Sequence, residues 1–152
     1  MSLTTTELNK VLFGNSVTRR YFIGTFPACE IPFSKKHIYC FITNTDEHDK
    51  SGEHWNSWFI RNKKLIFFDS FGRDPRDSSF PHYYKDMIRK FDVIEYTTIP
   101  IQRLTSATCG LFCIHFIYVM SLGLDIVNFC SDYYFDTNLN DCVVLDFISS
   151  IQ

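Results

Sequence analysis

Helical and strand-like hydrophobic patterns alternate along the chain, and their order predicts its architecture. Thr4 to Leu12 predicts a short amphipathic helix stopped by Gly14. Lys36 to Thr43, rich in Ile, Tyr and Phe, predicts a buried strand. A polar loop, Asn44 to Glu53, leads into two β-rich runs, His54 to Ile60 and Leu65 to Asp69. The polar Arg61-Asn62-Lys63-Lys64 between these runs predicts a hairpin. Tyr84, Met87, Ile88 and Phe91 give helical spacing across Ser79 to Phe91, and Val93 to Ile99 predicts a further strand. Pro100 to Thr108 is a loop whose Ser106 or Thr108 is placed to cap the next helix. That helix, Cys109 to Leu122, is apolar on nearly every side and belongs in the core. One or two helices close the chain, the last starting near Asn138. The expected class is α+β: a buried, Cys-bearing helix packed on a small, mostly antiparallel sheet, in a single domain over residues 1–152.

Composition narrows the functional classes. A chain of 152 residues that is 45% hydrophobic fits one core, and an aromatic share of 17% excludes disorder. The net charge of −2 provides no overall field toward nucleic acid or an anionic membrane. The basic clusters at Arg19–Arg20, Lys35–Lys36–His37 and Arg61–Lys64 are short and read as solvated turns. The longest apolar stretch, Cys109 to Leu124, is broken by His115 and Ser121 and suits a buried helix better than a membrane span. Met1 to Lys10 is polar and carries no secretory signal, so an intracellular, reducing compartment is expected. Cys29, Cys40, Cys109, Cys113, Cys130 and Cys142 are then expected as thiols rather than disulfides.

Candidate chemistry begins in the hairpin. His54 and Asp69 are separated by 15 residues, an odd number, so they share one face of the paired strands. A turn centred between Arg61 and Asn62 sets them directly opposite, whereas a four-residue loop makes them diagonal neighbours. Opposed Cβ atoms lie about 5 Å apart, close enough for a carboxylate to fix an imidazole's tautomer and direction. A surface His–Asp pair at a sheet end explains the same spacing. Cys109 stands at the start of the buried helix, where the partial positive charge of a helix N-terminus favours a thiolate. Gly110 beside it removes a side chain and lets another backbone come close. Cys113, a turn deeper on the same face, is expected to be inert packing. His115 is about 9 Å further along the axis and off that face, too far to act as a base. Cys109-x3-Cys113-x-His115 is not a zinc spacing, and no metal or cofactor is called for. Gln102, on the loop before Cys109, could join the Cys109 N–H in holding an oxyanion, although a loop glutamine alone carries no meaning.

Taken together these motifs resemble a known family. Gly52-Glu53-His54-Trp55, Leu65-Ile66-Phe67-Phe68-Asp69-Ser70-Phe71-Gly72 and Gln102-x6-Cys109-Gly110-Leu111-Phe112-Cys113 resemble adenain, the adenovirus maturation protease family, in order and spacing. Tyr21-Phe22-Ile23-Gly24-Thr25 resembles that family's N-terminal segment. The resemblance implies the fold of the clan of adenain and ubiquitin-like-protein proteases. It assigns His54 as base, Asp69 as acid, Gln102 as oxyanion donor and Cys109 as nucleophile. It also implies a narrow cleft for small residues, typically glycine, with Trp55 and Gly110 beside the substrate, though a core tryptophan explains Trp55 nearly as well.

The function so implied is a cysteine endopeptidase that processes viral capsid or core precursors, in the host nucleus or cytoplasm and in the virion. The alternatives are a protease for ubiquitin-like modifiers that cuts after a diglycine tail, and a virion interaction module without chemistry. The chain also departs from the family. Adenoviral members are longer, so a C-terminal portion is expected to be trimmed here. They are activated by a peptide disulfide-bonded to a cysteine between the acid and the glutamine, but this chain has no Cys between residues 41 and 108. Any peptide activator would therefore be non-covalent. Those members use DNA as a cofactor, for which this mildly acidic chain is a poor candidate. A smaller relative, from a virus or a virus-like transposable element, fits these departures.

Overall fold

A hairpin stands at the centre of the sheet. In the structure, a computed structural model that describes residues 2–45 and 54–152, β3 (Trp55–Arg61) and β4 (Lys64–Phe68) pair antiparallel. Gly52, Glu53 and most of the polar loop expected before His54 lie outside the described residues. Arg61 faces Lys64, and only Asn62 and Lys63 turn the chain, with φ of 49° and 69°. Two consecutive left-handed residues give the turn a twist that matches the strands it joins.

The rest of the sheet grows outward from this pair. β2 (Ile38–Asn44) runs antiparallel to β3, while β1 (Phe22–Phe26) lies parallel to β2 and β5 (Val93–Tyr96) parallel to β4. The strand order is β1-β2-β3-β4-β5, so the antiparallel pairing expected from the pattern forms the middle and parallel pairs form the margins. Parallel neighbours require a crossover. Between β4 and β5 the chain crosses through α2 (His82–Ile88).

Both faces of the sheet are covered, which is why its central strands read as continuous apolar runs. On one face Cys40, Ile42, Phe59, Ile66 and Phe68 pack against α1 (Thr5–Gly14), α3 (Cys109–Ser121), α4 (Ile126–Cys130) and α5 (Asn140–Ile151). On the other, Tyr39, Phe41, Trp58, Ile60, Leu65 and Phe67 meet Tyr84, Met87 and Ile88 of α2. Every residue of α3 except Tyr118 is buried, as its unbroken hydrophobicity demands. Among the described residues no helix is long and apolar enough to cross a membrane.

Several boundaries differ from expectation for identifiable reasons. β1 was hidden because Gly24, at φ 138°, interrupts its alternation. α2 begins at His82 rather than Ser79, since the preceding Pro81 holds extended geometry and Ser79 bonds back to Asp77 Oδ1. β5 stops at Tyr96 because the chain then turns toward Ser70, whose carbonyl accepts the N–H groups of Ile101 and Gln102. Thr108 occupies the cap position of α3 without a side-chain cap bond; its hydroxyl donates to Asp141 Oδ1 at 2.8 Å instead. Two of the expected basic turns meet at one end of the sheet, where Lys35, Lys36, Lys63, Lys64 and Lys90 surround a pocket of about 520 Å³.

The turn provides a test of the register. Lys63 carries a Cβ in a left-handed conformation that favours glycine. Lys63→Gly is expected to stabilise the chain by up to about 1 kcal/mol, raising Tm by roughly 2–4 °C. A fall in Tm on thermal melting would contradict the assigned turn.

Candidate active site

The site lies where the central hairpin ends. His54 immediately precedes β3 and Asp69 immediately follows β4, so antiparallel pairing brings them to the same end of the sheet. The observed register makes them diagonal neighbours, as a four-residue loop would although only two residues turn the chain, and the His54 Nε2–H donates to Asp69 Oδ1 at 2.6 Å. Extended one step past its last pair, Ser57 with Phe68, the register sets Asn56 across from Asp69, after which the chain turns at Ser70 and Phe71. Asn56 Nδ2 donates to Asp69 Oδ1 at 2.9 Å, and the Phe71 ring stacks on the imidazole, centroids 5.1 Å apart and 17° from parallel.

Asp69 is fully buried and receives further donors from Arg73: the backbone N–H at 3.1 Å and Nε at 2.9 Å to Oδ2, with Nη2 at 3.2 Å to Oδ1. Behind it runs a buried hydrogen-bond chain. Trp58 Nε1 donates to Thr43 Oγ1 at 2.9 Å, and Tyr84 OH donates to Asn56 Oδ1 at 2.7 Å. With its single proton given to Asn56, Tyr84 accepts from Thr43 Oγ1 at 2.9 Å, which fixes the direction of the whole chain toward Asp69.

Cys109 is the first residue of α3 and approaches His54 from the other face of the sheet. His54 faces Cys109 closely enough for each to shift the other's ionisation, and the backbone N–H groups of Trp55 and Gly110 add to the field at the sulfur. Burial opposes ionisation of each member of the group. For His54 it is outweighed by the bonds and charges of Asp69 and Cys109, which raise its pKa to about 9. Burial likewise pushes Asp69 up, but His54 and Arg73 hold it at about 2. The Cys109 thiol, raised by burial, is brought below its ordinary value chiefly by His54. Cys40 and Cys113 have no such partner, and burial drives both well above the ordinary range. Cys113 is thus the inert core thiol that the sequence predicts.

Gln102 is buried and held at both ends of its amide. Oε1 accepts from Ser70 Oγ at 2.5 Å, and Nε2 donates to the Ser106 carbonyl at 2.7 Å. The second amide hydrogen has only a long 3.5 Å approach to Ser106 Oγ. Gly72 allows the Asp69 loop to reach this segment: at φ 75°, a Cβ there would stand 2.9 Å from Ile99 C and Pro100 N. The stretch from Asp69 to Gly72 and the Gln102 loop are therefore packed backbone to backbone.

Trp55 and Gly110, expected beside the substrate, lie against each other and against Leu3. Trp55 is a core residue whose Nε1 donates to the Leu3 carbonyl at 3.1 Å. A Cβ on Gly110 would meet Leu3 Cβ and Trp55 Cδ1, each at 3.3 Å. The space that Gly110 leaves open is thus bordered by the chain's own N-terminal segment, and a Cβ there would need Leu3 or Trp55 to give by a few tenths of an ångström. His115, as expected, is remote from this group: it bonds Tyr133 OH through Nδ1 at 2.5 Å, and burial lowers its pKa to about 4.

The electrostatics of Asp69 set an acid limit on stability. Its pKa lies below the ordinary 3.8, so its contribution is complete above that value and is lost as pH falls from about 4 toward about 2. Asp69→Asn cannot titrate, and its urea midpoint is expected to vary less over that interval than the wild type's. Equal pH dependence of the two proteins would contradict the charge-paired carboxylate.

Comparison with known proteins places the chain in a family. The family model for the adenovirus endoprotease matches residues 22–127. The protease of Bovine adenovirus 4 is 30% identical over 111 residues, covering 64% of this chain and 55% of that protein. The protease of Human adenovirus B serotype 3 is 32% identical over 111 residues, covering 64% of this chain and 53% of that protein. The chain spans about half the length of the curated relatives it matches. An ASFV protease, solved as a selenomethionine crystal structure, shares the fold with a TM-score of 0.63 at 15% identity, covering 99% of this chain and 67% of that one. This likeness supports the expected α+β fold. By the extent of its match, the chain belongs to the adenovirus endoprotease family.

Proposed function

We propose that the chain is a cysteine endopeptidase with Cys109 as nucleophile, His54 as base, Asp69 as orienting acid and Gln102 as oxyanion donor. The observation that carries this reading is the single buried group joining Asp69, His54 and Cys109, in which Cys109 alone among the buried thiols is shifted toward the thiolate. Because His54 Nε2 is committed to Asp69, Nδ1 exchanges the proton with sulfur. The thiolate attacks the peptide carbonyl, and the oxyanion is met by the Gln102 N–H that has only the long contact to Ser106 Oγ and by the N-terminal N–H groups of α3. His54 then protonates the departing amine, and water releases the acyl-enzyme.

The substrates we infer are viral capsid or core precursors, cut at small, glycine-containing sites in the host nucleus or cytoplasm and in the virion. Family membership supports the viral class. The low exposure of Cys109 and His54, 8% and 9%, supports small residues at the cut, with Trp55 and Gly110 forming the crowded wall beside the sulfur. A non-covalent peptide activator is part of the proposal. β5 is an edge strand, and a groove of about 400 Å³ lies between the chain from Tyr96 to Ile101 and α4. An extended peptide could add to that edge. DNA has no part in the proposal, since the net charge is −2 and the clustered lysines enclose a bounded pocket rather than a track.

A proteome-derived peptide library tests this reading without assuming a substrate. New N-termini at glycine-containing sites are expected with the wild type and none with Cys109→Ala. Cuts confined to diglycine tails would select the modifier-protease reading instead, and cuts that persist in Cys109→Ala would overturn the proposal. Gln102→Ala is expected to lower the cleavage rate about a hundredfold, and a loss under about threefold would remove Gln102 from its role.

A further inference from the structure

The segment from Thr97 to Thr108 carries Gln102 and delivers the chain to Cys109, yet it has no regular secondary structure. Its outer part is not held by packing, for the Leu104 side chain is 88% exposed. What holds it is the first turn of α5. Asn140 is fully buried and donates from Nδ2 to the carbonyls of Ile101 and Tyr134, both at 2.9 Å, while Oδ1 accepts the Tyr134 N–H at 2.8 Å. Asp141 Oδ1 accepts from Thr108 Oγ1 at 2.8 Å and from Ser106 Oγ at 3.2 Å. Its Oδ2 faces Arg103 Nε at 3.4 Å. With the Thr108 proton given to Asp141, the single Ser106 proton is shared between Thr108 Oγ1 and Asp141 Oδ1.

These ties bracket the site. Ile101 directly precedes Gln102, Thr108 directly precedes Cys109, and the Ser106 carbonyl is the acceptor that fixes the Gln102 amide. Both residues of α5 lie beyond the segment matched by the family model, which ends at residue 127. We propose that Asn140 and Asp141 are positioning residues that hold the Gln102–Cys109 loop in the geometry required for acyl transfer. The inference rests on the proposed roles of Cys109 and Gln102.

Two reactions at Cys109 separate positioning from thiol activation. Iodoacetamide alkylates sulfur by displacing iodide and forms no oxyanion. p-Nitrophenyl acetate acylates the same sulfur through a tetrahedral oxyanion that collapses with loss of p-nitrophenolate. Asp141→Ala and Asn140→Ala are expected to slow acylation by about tenfold or more while changing alkylation of Cys109 less than about twofold. Asp141→Asn, whose carbonyl oxygen still accepts from Thr108 and Ser106, should restore acylation to within about threefold of wild type. Thr108→Val removes one tie without opening a buried amide site, and should give the same split.

Adding Asp141→Ala to Gln102→Ala should slow acylation little further, because both act through one amide. Acylation and alkylation falling together across these variants, or a double variant that is fully additive, would overturn the proposal. A wild type acylated no faster than Cys109→Ala would instead remove the catalytic reading on which it rests.

Discussion

A carboxylate sealed from water at the end of a sheet is the constraint around which this molecule is arranged. Removing such a charge from water costs several kcal/mol unless its oxygens are filled by donors. Asp69 is filled by His54, Asn56 and three N–H groups of Arg73. Each donor imposes a condition on the fold. His54 must present Nε2, which leaves Nδ1 for sulfur. Asn56 must turn its amide inward, and its oxygen is then held by Tyr84 of α2, which is tied through Thr43 to Trp58. The buried polar chain thereby fixes one helix, three strands and the imidazole in a single arrangement.

Cys109 meets this assembly from the opposite side. By strand alternation, Asn56 and Asp69 belong with the α2 face, whereas α3 packs on the other. A nucleophile within α3 would be separated from His54 by the sheet itself, as Cys113 is, with its carbonyl against Ser57. Only the first residue of the helix, at the level where paired residues end at Ser57 and Phe68, can reach around to the imidazole. Placement at the helix start thus serves geometry and charge together, since the same end carries the N–H groups that favour a thiolate.

Much of this was legible in the chain because the hairpin has a strict period. The odd separation of His54 and Asp69 put them on one face, and the four-residue-loop register also implied Asn56 opposite Asp69 and Phe71 opposite His54. Those two partners were within reach of the same reasoning. Arg73 was not, since its fork reaches Asp69 only through the loop bent at Gly72. The outer strands were harder: parallel neighbours are joined by crossovers, which leave no local mark comparable with a turn. Thr108 looked like a cap because its residue type favours one, but a distant acceptor, Asp141, took its hydroxyl. The contact of Gly110 with Leu3 was out of reach for a similar reason, as Leu3 lies more than a hundred positions away in sequence.

A working ion pair between His54 and Cys109 in the folded chain is tested most directly by the rate of Cys109 alkylation against pH. Followed by peptide mapping, wild-type Cys109 should label rapidly well below ~pH 8, while the other five cysteines stay slow. In His54→Ala that reactivity should return to an ordinary thiol profile. An ordinary profile in the wild type, or one unchanged by His54→Ala, would contradict the assembled pair.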